Sequence, residues 1–192
     1  MYFKKYNKLK NASQIVYNQK IETESELNYI ESIIYELESA SNIDEIQDIF
    51  EEISENGILK NKSSNKKKKE KISKKKTKKY SPLHLKIDNF DVYVGKNNKE
   101  NDWLTFVFAN KSDIWLHTKD IQGSHVIIKS SGSNVSDDTL VKCAKIAVQH
   151  SKAKFSSNVP VDYCKVQFIK KPNNAKPGMV IFTNNKTIFV TP

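Results

Sequence analysis

The chain has 192 residues, and its 32 basic residues, every one a Lys, outnumber 22 Asp and Glu to leave a formal net charge of +10. That length allows one good domain with an appendage, or two small domains. Hydrophobic residues at 38%, with five Gly and five Pro, exclude a wholly disordered or collagen-like chain. No apolar run approaches the ~18 residues needed to cross a bilayer, and the polar start Met1-Tyr2-Phe3-Lys4-Lys5 lacks the apolar stretch of a signal peptide. Cys143 and Cys164 show no paired-motif spacing, so neither a disulfide framework nor a Cys-ligated zinc site is expected. The composition points to a soluble, cytoplasmic protein with no membrane partner.

Charge divides the chain into three parts. Residues 1–59 carry 5 Lys against 12 acids, residues 60–79 carry 12 Lys against one Glu, and residues 80–192 carry 15 Lys against 9 acids. The middle block repels itself and has almost nothing apolar beyond Ile72, so it reads as a disordered Lys-rich linker and a domain boundary. Before it the pattern is helical. Tyr2, Tyr6, Leu9, Ile15 and Val16 mark a first helix, and Leu27, Ile30, Ile33, Ile34 and Leu37 a second beginning near Glu22–Glu24. A third opens at Asn42, with Glu45 closing a capping box and Gly57 as its stop. The segment reads as the end of a longer antiparallel coiled-coil arm, with Met1 a truncation point; an ordinary small helical bundle fits the same pattern.

After the linker the period becomes two. Leu85–Ile87 and Phe90–Val94 flank Asp88-Asn89 as a hairpin, and Leu104–Ala109, Ile114–Lys119 and Ser124–Ile128 follow as strands. Ser136 caps a helix with Asp137 and Asp138 at its start and Leu140, Cys143, Ala144 and Ala147 on its buried face. Val161–Ile169, Val180–Thr183 and Thr187–Thr191 complete the strands, the last two joined at Asn184-Asn185. The expected fold class is α+β: a helical segment, a linker, then a mixed or antiparallel sheet with one main helix.

The sharpest functional signal is Asp113-Ile114-Trp115-Leu116-His117-Thr118-Lys119. Alternation sends Ile114 and Leu116 to one face and Asp113, Trp115, His117 and Lys119 to the other. An indole beside an imidazole and an ammonium suits stacking on a base while Lys holds phosphate. The same spacing also fits an indole packed beneath a loop and a His satisfying a buried carbonyl. Gly123-Ser124-His125 follows, where Gly can expose backbone N–H groups to an anion. A metal site at Asp113, His117 and His125 would need a convergence that two strands do not guarantee. Lys142, Lys145, Gln149, Lys152 and Lys154, with Lys170, Lys171 and Lys176 on loops, extend a basic surface that favours a polyanion.

Taken together, Gly95-Lys96-Asn97-Asn98 with Asn101-Asp102, Asp113 to His117, Gly123 to Ile128, Ser151 to Lys154, Val159 to Tyr163, Lys171-Pro172, Ala175 to Val180 and the stretch from Thr183 to Pro192 resemble the NFACT-R domain over about residues 80–192. With its helical start, the chain is similar to the C-terminal part of the bacterial RqcH family, long described as fibronectin-binding protein A-like and related to eukaryotic NEMF. The resemblance implies a non-enzymatic RNA-binding module of a ribosome quality-control factor. Such factors bind the obstructed large ribosomal subunit with its stalled peptidyl-tRNA and recruit alanyl-tRNA for an untemplated alanine tail, so rRNA and tRNA are the implied partners and no cofactor is. The expected site then has Trp115 stacking, His117, Ser124 and His125 hydrogen-bonding RNA beside Gly123, and Lys96, Lys119, Lys171 and Lys176 meeting phosphates. Asn97 and Asn98 would order their loop and Asp113 would position His117 or Lys119. Gln122 stands where the family usually has Pro, Asn174 where it has Gly, and the lack of Arg leaves phosphate binding to point-charge Lys contacts.

Overall fold

The computed structural model describes residues 2–58 and 80–192; the linker expected over 60–79 lies outside them. Two helices come first. Helix α1 (Tyr2–Ser39) is a single rod where two helices were expected, because nothing between Val16 and Glu22 breaks it: no Gly, no Pro. Helix α2 (Ile43–Glu55) starts as its sequence predicts, with Asn42 Oδ1 accepting from Glu45 N at 2.9 Å, while Glu45 returns the contact one residue early, accepting from Ser41 N at 2.8 Å. It stops before Gly57, which takes φ +72°, a region open to Gly at little cost. The two helices pair through Tyr29, Ile33 and Ile49 at one end only; Tyr2, Tyr6, Leu9, Val16 and Tyr17 lie exposed along the rest of α1.

The second part is built on β1 (Leu83–Ile87), β2 (Phe90–Val94), β3 (Ile114–Thr118), β4 (Val126–Ile128), β5 (Val159–Lys165), β6 (Ile169–Lys170), β7 (Ile181–Phe182) and β8 (Lys186–Val190). Six strands form an antiparallel sheet in the order β1-β2-β4-β3-β5-β8, and β6 pairs with β7 as a separate ribbon. The fold is therefore α+β. Helix α4 (Asp137–Gln149) lies across one face, pressing Leu140, Cys143, Ala144 and Ala147 onto Val92, Leu116, Val126, Ile128 and Val161. Each such fully buried aliphatic side chain contributes roughly 1.5–3 kcal/mol. Ser136 caps α4, its Oγ accepting from Thr139 N at 3.2 Å, and Asp88 in the β1–β2 turn receives both Thr139 Oγ1 and Lys142 Nζ.

The opposite face carries the second core. The strand expected over Val161–Ile169 ends at Lys165, and a 3₁₀ turn, Val166–Phe168, leads into β6 of the separate ribbon. The sequence expectation fails twice more. Leu104–Phe108 is a π-helical turn continuing α3 (Asn98–Trp103), not a strand; Ala109 N donates to Leu104 O at 2.9 Å, five residues back. Leu104, Thr105 and Phe108 turn inward while Phe106 and Val107 face solvent, so the inward positions follow a helical spacing rather than alternation. Second, Asn184-Asn185 does not close a hairpin, since β7 pairs with β6 and β8 leaves it to join β5. The β6–β7 ribbon and the π-helical turn together cover the middle of this face.

Candidate nucleic-acid interface

Trp115 sits under that cover. Its side chain is 0% exposed, packed with Leu104, Ile127, Cys164 and Phe182, so the outward indole expected from alternation is corrected to a buried one. Alternation itself holds, since Trp115 and Leu116 do face opposite sides; what the strand pattern did not contain was a second layer over the polar side. The indole Nε1–H has no partner among the described residues, a cost of about 1–3 kcal/mol carried by the large apolar area the ring removes from water.

Two imidazoles stand against the indole. His117 stacks on it at 5.7 Å between centroids and His125 meets it edge-on at 5.2 Å. His117 Nε2 lies 3.3 Å from Gly123 O, and His125 Nδ1 shares a 2.8 Å hydrogen bond with Thr105 Oγ1. Burial pushes both rings below the usual imidazole value, His125 furthest because the neighbouring His117 adds to it. Both are therefore neutral at pH 7 and offer one donor and one acceptor each rather than a charge. Among the described residues no cluster of three or more His, Cys, Asp or Glu is placed to hold a metal.

Beside them a cleft of about 330 Å³ opens between α1, the turn from β3 to β4, and the loop 177–180. It brings together Asn98, Trp115, His117, Lys119, Gly123 and His125 of the expected set. Asp162 lies across from His117 in the β3–β5 register and also lines the cleft, accepting from Thr187 Oγ1 at 2.5 Å. Sequence reading missed Asp162, whose partner strand could not be known before the pairing was.

The remaining expected residues lie elsewhere. Asp113 is at the far end of β3, fully buried, where it pairs with Lys129 Nζ at 2.6 Å and accepts from Ser131 N and Asn110 N; it positions neither His117 nor Lys119. Lys96, Asn97 and Ser124 line a separate cavity with Glu36 and His150. Lys171 pairs with Asp102, and Lys176 donates to Asn56 O at 3.4 Å and sits over the Tyr29 ring, so both meet protein groups.

Residues 97–102 explain much of this arrangement. Asn97 Oδ1 accepts from Glu100 N and caps α3; Glu100 accepts from Lys96 N and Ser81 N; Asn101 Oδ1 accepts from His125 N. Asn98 Nδ2 donates to Ser32 Oγ at 2.9 Å and Glu52 Oε1 at 3.3 Å, Lys99 pairs with Glu55 at 2.7 Å, and Asp102 accepts from Gly178 N while holding Lys171. The motif expected to order its own loop also acts as a clamp, fixing the helical pair to the sheet. Gly178 is part of it: at φ +77°, a Cβ there would fall 2.3 Å from Asn98 Oδ1. Asn174, where the family usually has Gly, takes φ +60°, a conformation Asn tolerates better than most side chains.

Comparison with known proteins agrees with this architecture. Residues 1–72 match a family described as NFACT N-terminal and middle domains, and residues 76–184 match one described as NFACT protein RNA binding domain. The chain is 44% identical over 194 residues to the Rqc2 homolog RqcH of Bacillus subtilis, a match spanning 100% of this chain and 32% of that protein. It is 41% identical over 192 residues to the Rqc2 homolog RqcH of Streptococcus suis, spanning 100% and 33%. A solved structure, the C-terminal of the fibronectin/fibrinogen-binding protein from Streptococcus suis, superposes with a TM-score of 0.84 at 39% identity, covering 100% of this chain and 74% of that one. The chain spans about a third of the length of these curated relatives. A helical end clamped to a sheet by residues 97–102, with matches running the whole length of the chain, places it in the NFACT family, within the group of RqcH homologues.

Proposed function

We propose that the chain is the RNA-binding part of a cytoplasmic ribosome quality-control factor, with residues 1–59 the end of a coiled-coil arm and 80–192 the domain that meets RNA. It positions RNA and catalyses no step itself. The observation that carries this reading is the match of residues 76–184 to an RNA-binding domain, a stretch with eight more Lys than acids. In this reading the whole protein binds the obstructed large ribosomal subunit with its stalled peptidyl-tRNA and recruits alanyl-tRNA for alanine tailing. This part supplies rRNA or tRNA contacts around the cleft through Lys119, His117 and Gly123, with exposed Lys96 and Lys154 adding charge. No described helix is long and apolar enough to cross a membrane.

The test is a titration of the chain with labelled tRNA and with large-subunit RNA at rising salt. About six phosphate contacts would lower affinity ~10³-fold between 50 and 200 mM on the duplex-DNA scale. Binding without a salt slope would refute the electrostatic mechanism. One second reading has a specific support, the solved relative being named a fibronectin/fibrinogen-binding protein. Capture of purified fibronectin at physiological salt, with no RNA bound, would replace the RNA reading by that one.

A further inference from the structure

The covered face of the sheet is open at one end. Register places His117, Asp162 and Thr187 in one row across β3, β5 and β8, and Pro160 with Phe189 in the next. Lys119 joins that second row, its N–H donating to Pro160 O at 2.9 Å. In the first row, His117 and Asp162 line the cleft. In the second, Phe189 is 63% exposed, while its strand neighbours Ile188 and Val190 pack on the other side against the α4 core. Lys119 is exposed and forms no ion pair with a described residue, and Asp120 at the cleft rim is the acid beside it. A flat apolar ring held in water by a rigid strand, two strands across from an exposed ammonium with Pro160 between them in the row, in a part of the chain with excess Lys, fits an anionic partner that carries its own flat rings.

We propose that Phe189 and Lys119 form a stacking platform for unpaired RNA nucleotides, one base lying on the Phe189 ring with its phosphate at Lys119 Nζ. The adjoining row places the neutral His117 and the cleft where the next base would follow. This rests on the RNA-binding reading and adds to it the form of RNA recognised: duplex bases are already stacked on one another and have no free face to offer. Stacking also makes the platform tolerant of sequence, since every base has a π-face.

The experiment compares the 192-residue chain with F189L and F189W for binding a short labelled single-stranded RNA and the matching duplex. Leu keeps an apolar side chain without the ring, and the site is exposed, so both variants are expected to melt as the wild type does. The wild type should prefer the single strand. F189L should lose about 5- to 150-fold on it, the equivalent of the usual stacking contribution of about 1–3 kcal/mol per base, and change little on the duplex; F189W should bind as the wild type. Single-strand binding by F189L equal to wild type, or a wild type without single-strand preference, overturns the platform and leaves the RNA reading standing. A wild type that binds neither RNA overturns both.

Discussion

Replacing Asn98 with Ala should loosen the helical pair from the sheet while leaving the sheet itself intact. Asn98 is 5% exposed, and its Nδ2 group is the donor to both Ser32 Oγ and Glu52 Oε1. Neither acceptor is orphaned by the truncation. Ser32 Oγ still donates to Tyr29 O at 2.7 Å, and Glu52 Oε1 still accepts from Tyr29 OH at 2.8 Å. The cost is therefore that of two hydrogen bonds, about 1 kcal/mol for the neutral one and about 1.5–3 kcal/mol for the one to a carboxylate. The 3.3 Å length of the second favours the lower end, giving about 2–3 kcal/mol, or roughly 30- to 150-fold in the equilibrium for undocking. Amide hydrogen exchange resolves this, because local opening is read separately from global unfolding. Protection in α2 and in the 25–39 part of α1 should fall by that factor, with β3 and β4 unchanged. Unchanged protection in α2, or an equal loss in β3, would refute the clamp.

Two other outcomes follow from buried groups. Glu36 is 5% exposed with one carboxyl oxygen unpartnered among the described residues, and burial first, then the charge of Glu52, hold its titration well above the usual range. The folded state then keeps a proton that the unfolded chain releases, so this contribution to stability is full below the ordinary carboxylate pKa and is lost as pH rises toward the raised folded value. Glu36→Gln should melt higher than wild type near neutral pH, with the gap shrinking in acid; a lower melting point at neutral pH would contradict it. The thiols are the second case: burial pushes Cys143 up to about 12 and Cys164 up to about 11. Neither should react with a thiol-disulfide reagent at pH 8 until the protein unfolds, and fast labelling of the native protein would contradict their burial.

Local rules read correctly at several places: the caps at Asn42 and Ser136, the Asp88-Asn89 turn and the α4 face. They failed at the Asn184-Asn185 turn, where neither flanking strand pairs with the other. They failed too where a second layer decided the outcome. Trp115 alternates as expected, but whether its side of the sheet met water depended on a ribbon more than 50 residues later in the chain. Leu104–Phe108 has strand composition, yet the Asn97 cap starts a helical turn upstream and Leu104 and Phe108 are drawn into the same core. The polar motif 97–102 was legible as loop-ordering, but its hold on the helical pair was not, because Ser32, Glu52 and Glu55, with which its side chains bond, lie across the linker in that pair. Phe189 carried a usable signal: three apolar residues in a row on a strand, Ile188 to Val190, must put the middle one on the other face.

The clamp and the cleft are not separate devices. Asn28, Tyr29 and Ser32 of α1 form one wall of the cleft, and Pro177 to Val180 form another. That second wall is itself held by the clamp through Asp102 to Gly178 N, and touches α1 where Ser25 Oγ meets Met179 Sδ at 3.8 Å. Undocking the helices therefore removes one wall and frees the other. If RNA enters the cleft, docking and binding must favour each other by the same factor, since linkage is reciprocal. The Asn98→Ala chain should then bind single-stranded RNA more weakly than wild type, and RNA should restore part of the exchange protection lost from α2. Weakened protection with wild-type RNA affinity would show that the wall contributed by α1 takes no part in binding. Recognition would in that case be confined to the open row of Lys119 and Phe189.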